Sequence, residues 1–310
     1  MCIRDRVVVE EAAERGDQWA EAMLVTLQAL LALWGGRIDE AARRAGEAQH
    51  IFRTIGDRYG EIQAAATIAR TLAAQGLSVD ALRTAEEAVG LATPIGQGTL
   101  AQSVTASVAM YAGQSARAIA HAHLALDAPD VPPGFGYDAF VTLALAHLQQ
   151  GEIDTAMTYA EKAVATRPDH PNGTQALALA TAAVGRPAEA VELAESVAEM
   201  RSATYMDRFL AGVALALGQA QLGKRRDTLE ALEAVEAAIE ATDDAAAPVL
   251  VQVARAEALR ALGDGAGVTA AQAEATRRAE LLDLDPAPWQ LAFRLAAGGD
   301  VDTPAADGLS

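Results

Sequence analysis

Apolar, alanine-rich segments alternate with short breaks along this chain, as expected for successive helices joined by turns. Seven of the segments end at a glycine, and small residues follow each glycine at distances of five and twelve positions. Four sets fit closely and three more loosely: Gly36/Ala41/Ala48, Gly76/Ala81/Ala88, Gly113/Ala118/Ala125 and Gly151/Ala156/Ala163, then Gly185/Ala190/Val197, Gly223/Thr228/Val235 and Gly263/Val268/Ala275.

This recurrence predicts pairs of antiparallel helices. The glycine takes the left-handed conformation that ends the first helix, and the small residues let the second helix pack closely against it. Because each pair also stacks on the next, we expect an all-α solenoid of about seven repeats. The predicted pairs are 18–34 with 38–53, 58–75 with 78–91, 96–112 with 115–127, 135–150 with 153–166, 171–184 with 187–201, 203–222 with 225–241, and 244–262 with 267–283.

The ends of the chain differ from this array, whose predicted extent is 18–283. Residues 1–6 match the translation of a transposon end used in sequencing-library preparation, so we interpret them as a non-native leader. Residues 7–17 are then the remnant helix of a truncated repeat. At the other end, 284–297 is expected to be a short amphipathic helix that caps the last repeat, and 298–310 a disordered acidic tail.

The composition argues against several classes of function. The net charge of -18 argues against sequence-independent binding to nucleic acid or to an anionic membrane. Apolar runs are too short to span a bilayer, and no signal peptide follows the leader. Cys2, the single cysteine, lies within the leader, so the native part has no disulfide framework. We therefore expect a cytoplasmic protein with no nucleic-acid or membrane partner.

One segment superficially resembles a phosphate-binding loop. The stretch from Gly218 to Arg225 nearly fits the pattern Gly-x4-Gly-Lys-[Ser/Thr], but Arg225 replaces the hydroxyl residue and no strand precedes it. Gly223 is also a repeat turn, where helical hydrogen bonds would occupy the backbone amides. We interpret the segment as structural and expect neither a cofactor nor enzymatic activity.

The remaining candidates for chemistry are also interpreted as structural. His121 and His123 are two positions apart on a helix, so their side chains point in different directions and cannot share a metal. The adjacent acids Asp243-Asp244 are expected to be solvated. The aromatic residues at apolar helix positions are expected to pack between helices: Trp34, Phe140, Phe209 and Trp289.

The unit from Tyr137 to Pro168 resembles a tetratricopeptide repeat: Leu143-Ala144 lies in its first helix, Gly151 at the turn, and Ala156 and Ala163 in its second. The resemblance implies a right-handed superhelix. Three further stretches resemble the C-terminal part of actinobacterial adenylate/guanylate-cyclase-linked or LuxR-type signalling (STAND) ATPases: 56–61, 204–208 and 289–293. In such proteins the array senses or scaffolds, and an upstream domain performs the chemistry.

In a tetratricopeptide array the first helices line the concave face, which gives the candidate binding surface. The polar residues expected there are Gln63, Arg70, Ser103, Ser107, Asp138, Asn172 and Gln175. A purely structural face is the competing interpretation, because most inward positions late in the array are Leu, Val or Ala.

Two functions remain open. The first is a non-catalytic interaction or sensor segment of a larger bacterial signalling ATPase, cyclase or transcriptional regulator, whose partner is a protein or peptide, including the upstream domain of the same chain. The alternative is a free-standing scaffold or adaptor with no attached enzyme.

Overall fold

The structure, a computed structural model, describes residue 9 and the ranges 11–127 and 136–301. The expected leader and the greater part of the expected tail lie outside these residues. The α-helices from residue 18 onward are α1 (Gln18–Trp34), α2 (Ile38–Ile55), α3 (Arg58–Ala74), α4 (Ser78–Ala92), α5 (Gly98–Tyr111), α6 (Ser115–Leu126), α7 (Gly136–Gln149), α8 (Ile153–Thr166), α9 (Pro171–Ala183), α10 (Pro187–Glu199), α11 (Tyr205–Gln221), α12 (Arg225–Glu240), α13 (Ala247–Ala261), α14 (Gly265–Ala279) and α15 (Ala287–Ala296).

Successive helices form antiparallel pairs, which we call units: unit 1 is α1 with α2, and units 2 to 7 follow in order. Each pair turns at one of the seven predicted glycines, all of which have positive φ. The residues five and twelve positions after these glycines are buried in every unit, with at most 6% of their surface exposed. Close contact between the paired helices therefore explains the small side chains at these positions.

The last helix continues the repeat pattern. Gly298 follows α15, has a φ of 82° and lies 35 residues after Gly263, so α15 corresponds to the first helix of a further unit. It packs on α13, and it also contacts α7, α9 and α11. The helix at the end of the chain thus reaches back to the middle of the array.

The loop between units 6 and 7 contacts the two units at the start of the chain. The backbone N–H of Asp243 donates to the carbonyl of Gly36 at 3.1 Å. The N–H groups of Ala245 and Ala246 both donate to the carbonyl of Ala74, at 2.9 and 3.0 Å. Residues 242–246 therefore hydrogen-bond to the turn of unit 1 and the turn of unit 2.

A second loop makes equivalent contacts one unit further along. The N–H of Asp283 donates to the carbonyl of Gly76 at 2.8 Å, and the N–H of Asp285 donates to that of Ala112 at 3.4 Å. We call the contacts of residues 242–246 and 282–285 with these turns the seam. The seam brings the second half of the array against the first.

Asp243 also caps a helix that is distant in sequence. The residue before α2 is Arg37, whose side chain makes no capping hydrogen bond. The carboxylate of Asp243 instead accepts from the N–H of Ile38 and, at 3.0 Å, from that of Asp39. An acid at a helix N-terminus satisfies free amides and interacts favourably with the helix dipole.

Asp244 is buried, contrary to the expectation that this acidic pair is solvated. Its carboxylate accepts from the N–H groups of Ala246 and Ala247, at 2.9 and 2.8 Å, where α13 begins. It also accepts from the Tyr205 hydroxyl at 2.7 Å. These three hydrogen bonds offset only part of the cost of removing water from around the carboxylate.

The aromatic residues expected to pack between helices divide into two groups. Trp289 and Phe209 are buried and Phe140 is partly buried. The expectation is wrong for Trp34, which is 50% exposed. Trp34 lies on α1, where no earlier unit among the described residues covers the helix.

A substitution at the turn of unit 1 tests the seam. In Gly36→Ala, the new Cβ would overlap the Thr242 side chain, in addition to the strain of a φ of 74°. Gly185→Ala is the matched control, because its φ is 78° and its Cβ would meet nothing within 4 Å. We expect Gly36→Ala to lower the free energy of unfolding by about 1–3 kcal/mol more than the control does, measured by chemical denaturation. Equal losses in the two variants would contradict the close approach at the seam.

Candidate binding site on the concave face

Much of the concave face is covered by the chain's own last helix. α15 lies against α7 and α9, and its Trp289 is fully buried. The indole N–H of Trp289 donates to the carbonyl of Tyr111 at 3.2 Å, and the two rings stack at 6.1 Å. The inward leucines late in the array, Leu145, Leu179 and Leu217, are buried. Their apolar character is thus explained by packing within the chain.

A buried polar cluster holds α15 in this position. The side chain of Glu257 on α13 is fully buried. It accepts from the Gln290 amide at 2.9 Å and from the guanidinium of Arg260 at 3.0 Å, and Arg294 lies 3.5 Å away. Breaking such a pairing would leave a buried charge uncompensated, so α15 is strongly tied to α13.

Arg70, one of the residues expected on the concave face, is partly exposed. Burial lowers the pKa of its guanidinium below the ordinary value, and the negative charge of Asp138 partly opposes this effect. Arg70 keeps some exposed surface, but among the described residues it makes no hydrogen bond or close ion pair. A desolvated guanidinium with free donors is suited to binding a carboxylate.

Other sequence candidates lie on the first helices of units 3 to 5 and keep some exposed surface. Asp138 is exposed, and Ser107 and Asn172 are partly exposed. His170 stands 3.0 Å from the Tyr137 hydroxyl, and burial followed by the charge of Arg167 lowers its pKa. His170 is therefore neutral near pH 7. The exposed and partly exposed groups in these units therefore include two cations, Arg70 and Arg167, the anion Asp138, and neutral hydrogen-bonding groups.

Two buried acids lie near this surface. Asp207 closes a capping box with Thr204 at the start of α11, and burial raises its pKa. Burial also raises the pKa of Asp244 to about 6, against the effect of its hydrogen bonds. The charges of both acids act on Tyr111, whose pKa is raised mainly by burial.

The seven candidates from the sequence do not form one surface. Arg70 and Asp138 are close enough to interact electrostatically, and Asn172 is close enough to His170 to act on its pKa. Ser103 and Gln175 are buried, and each retains a side-chain oxygen without a hydrogen-bond partner. The last two candidates are partly exposed: Ser107, and Gln63, whose amide donates to the Tyr59 hydroxyl at 3.1 Å.

The sequence reasoning missed Tyr111 and His170. It followed positions along each first helix separately and did not include these two end positions. Tyr111 is the last residue of α5, and His170 immediately precedes α9. The sequence feature that could have identified them is that both are polar residues at an end of a first helix.

The segment that resembles a phosphate loop has no free amides at its turn. The N–H of Gly223 donates to the carbonyl of Ala220, and that of Lys224 donates to Gln219, both at 3.0 Å. Within the described ranges, no group of three His, Cys, Asp or Glu residues could hold a metal ion. No helix in that part of the chain is long and apolar enough to cross a membrane.

These features define the class of the protein: an all-α solenoid of the tetratricopeptide type, as predicted from the sequence. The tetratricopeptide repeat family matches residues 138–180. Folds of this class present extended concave surfaces that bind proteins or peptides.

Solved structures agree at the level of the fold. Aspartyl phosphate phosphatase F from Bacillus subtilis is similar with a TM-score of 0.60 and 12% identity, over 88% of this chain and 74% of that one. A chain of the APC/C hetero-tetramer Cut9-Hcn1 is similar with a TM-score of 0.61 and 15% identity, over 91% of this chain and 55% of that one. A search of curated protein sequences finds no match.

The pKa of Asp244 predicts a pH-dependent stability. Its folded-state value of about 6 exceeds the ordinary 3.8, so folding favours the protonated form. Stability should therefore fall as the pH rises from about 4 to about 6, and the loss should persist at higher pH. Asp244→Asn, which mimics the neutral acid, should raise the free energy of unfolding at pH 7.5 by about 1–3 kcal/mol.

Denaturation at several pH values measures this effect. The gain of Asp244→Asn over the unsubstituted protein should disappear near pH 3, below both pKa values, where Asp244 is protonated in the folded and the unfolded state. Asp243→Asn is the matched control, because Asp243 is exposed and caps α2; we expect no gain from it. A pH-independent difference for Asp244→Asn would contradict the prediction.

Proposed function

We propose that this chain is a non-catalytic protein-interaction or sensor segment, which binds its partner at the accessible part of the concave face around Arg70. One observation carries the proposal: a desolvated guanidinium that makes no close contact with an acid among the described residues. The net charge of -18 provides many acids elsewhere, so the isolation of Arg70 favours a role in binding.

The groups around Arg70 indicate the class of partner. A guanidinium binds carboxylates through two parallel hydrogen bonds. Asp138 can accept from backbone or side-chain N–H groups, and the Asn172 amide can both donate and accept. A peptide segment supplies both kinds of group, so we infer that the partner is a protein or peptide with a carboxylate placed against Arg70.

This chain could function in either of two settings, as part of a larger protein or as a free-standing one. The resemblance of residues 56–61, 204–208 and 289–293 to signalling ATPases supports a segment of a larger cytoplasmic bacterial protein. In that case an upstream ATPase or cyclase domain performs the chemistry. Binding of the partner to the array would then change the activity of that domain. The alternative is a free-standing scaffold or adaptor. The gene sequence upstream of Val7 distinguishes them.

Replacing Arg70 tests the binding site. We expect short peptides with acidic side chains or free C-terminal carboxylates to bind the protein, and Arg70→Gln to weaken the best of them tenfold or more. The reason is that hydrogen bonds to charged groups contribute about 1.5–3 kcal/mol. Screening a peptide library and then titrating the selected peptides by calorimetry gives the measurement.

Arg83→Gln is the matched control, since Arg83 lies exposed on the second helix of the same unit and pairs with Asp80 and Glu87. It should leave peptide affinity unchanged. Peptides that bind both variants equally would place the interaction elsewhere and refute the role of Arg70.

The non-catalytic part of the proposal has its own test. Because the amides at Gly223 and Lys224 are engaged in the helix turn, the chain should neither bind ATP nor hydrolyse nucleotides. Calorimetric titration with ATP and magnesium should give no heat of binding. Micromolar ATP binding that Lys224→Ala abolishes would overturn this prediction.

A further inference from the structure

One position in each unit, six residues before the turn glycine, faces the inside of the array, which we call the lumen. In units 4, 5 and 6 this position holds Leu145, Leu179 and Leu217, all buried on helices that contact α15. In unit 7 it holds Glu257, which accepts a hydrogen bond from Gln290 of α15. The position therefore faces the space that α15 occupies.

Arg70 holds the same position in unit 2, and Ser107 holds it in unit 3. Side chains of α15 pair with Glu257, but no described residue supplies a carboxylate in direct contact with Arg70. The counter-ion of this inward guanidinium therefore comes from outside the described residues.

Two acids on later units also make no direct ion pair with a described residue. Asp138 is exposed in the first turn of α7. Asp207 is only 2% exposed; its Oδ2 accepts from the N–H and the hydroxyl of Thr204, both at 2.8 Å, and its Oδ1 makes no hydrogen bond. A buried carboxylate oxygen without a donor is costly, so it indicates a donor that the described residues do not supply.

The superhelix brings the ends of early first helices to the beginnings of later ones. Tyr205, at the start of α11, packs against the buried core of units 1 and 2. The charges of Asp207 and Arg70 both act on the hydroxyl of Tyr111, at the end of α5, and the charge of Asp138 acts on Arg70. We call the four residues that are linked in this way the lumen cluster: Arg70, Tyr111, Asp138 and Asp207.

The charges in and around this cluster disfavour a simple anion. At the Tyr111 hydroxyl the charges that act are those of two acids, Asp207 and Asp244, and of one cation, Arg70. Asp138 adds a further acid near Arg70. A ligand carboxylate bound to Arg70 would therefore also be repelled by neighbouring carboxylates, unless the ligand brings a positive charge with it.

Two other arginines lie at the margin of the cluster. The guanidinium of Arg167 stands 5.4 Å from the centre of the Tyr137 ring. Arg208 is exposed and acts on Asp207, its neighbour in sequence. Neither is among the charges that act on the Tyr111 hydroxyl, so the acids dominate there.

We propose that the lumen cluster binds a zwitterionic group, whose carboxylate pairs with Arg70 and whose ammonium is held by Asp138 and Asp207. The inference rests on the proposed function, since it uses the same carboxylate at Arg70, and it adds the ammonium. The charges of Asp138 and Asp207 both act on His170, which places the two acids on one side of the cluster. An ammonium has three donors and no acceptor, so two carboxylates suit it. A free amino acid and a peptide segment with an acid and a lysine both offer this chemistry.

Calorimetric titration with a length series of small probes tests the proposal. The probes are ω-amino acids from glycine to 6-aminohexanoate, each compared with the straight-chain carboxylate and the straight-chain amine of the same length. We expect the best zwitterion to bind about tenfold or more tighter than both, as for one added hydrogen bond between charged groups. A second arm uses peptides with blocked termini that carry one Glu and one Lys. Binding of the peptides alone identifies a protein segment as the source, and binding of the free amino acids a small molecule.

Substitution of the acids gives effects of opposite sign on two probes. Asp138→Asn and Asp207→Asn should each weaken the zwitterion, because the ammonium loses a partner, and strengthen the matched carboxylate, because a repelling charge is removed. Arg70→Gln should weaken both probes. Asp154→Asn is the matched control, since Asp154 is an exposed acid in the first turn of the outer helix of the same unit as Asp138; it should change neither affinity. Circular dichroism checks that each variant is folded.

The outcomes separate this inference from the proposed function. Equal affinity for zwitterion and matched carboxylate, with both lost in Arg70→Gln, would overturn the inference and leave the proposed function intact. Asp138→Asn and Asp207→Asn that lower the affinity for both probes alike, or that change neither, would also overturn it. Ligands that bind Arg70→Gln as well as the unsubstituted protein would refute both.

Discussion

The seam is the contact on which the rest of this structure depends. Asp243 caps α2 across a separation of 205 residues, and the neighbouring backbone hydrogen-bonds to the turns of units 1 and 2. Arrays of this type usually rely on contacts between neighbouring repeats alone. Here hydrogen bonds also join units that are distant along the chain. The second of the two loops that make them, residues 282–285, leads directly into α15, which packs against α7 and α9.

The position of α15 limits the part of the concave face that a ligand can reach. Because α15 occupies the space against α7 and α9, a ligand cannot use the late inward positions, and their Leu and Ala residues serve the core. Five of the polar candidates keep some exposed surface: Gln63 and Arg70 on α3, Ser107 on α5, Asp138 on α7 and Asn172 on α9. α7 and α9 therefore carry both side chains that pack within the chain and polar groups that face solvent.

The sequence predicted local structure better than long-range structure. Glycine turns and small residues such as Ala156 and Ala163 report contacts within a pair, and the observed helices begin and end within a few residues of the predicted bounds. Burial of Asp244 depends on which distant units meet, and exposure of Trp34 on the lack of an earlier unit beside α1 among the described residues; no periodic pattern encodes either. The same pattern does not show how far each candidate residue is exposed. Ser103 and Gln175 occupy inward positions, but packing within the chain buries them.

The seam also changes which parts of the array a bound ligand could affect. In an open solenoid, a ligand on one unit alters mainly its neighbours, because stability is a sum of nearest-neighbour terms. Here α1 belongs to unit 1, and the turn of unit 1 hydrogen-bonds to the loop between units 6 and 7. Arg70 lies on α3, whose last residue, Ala74, accepts hydrogen bonds from the same loop. A ligand at Arg70 would therefore be linked to unit 1 through residues 242–246. It could influence unit 1 only by favouring one arrangement of that loop over another.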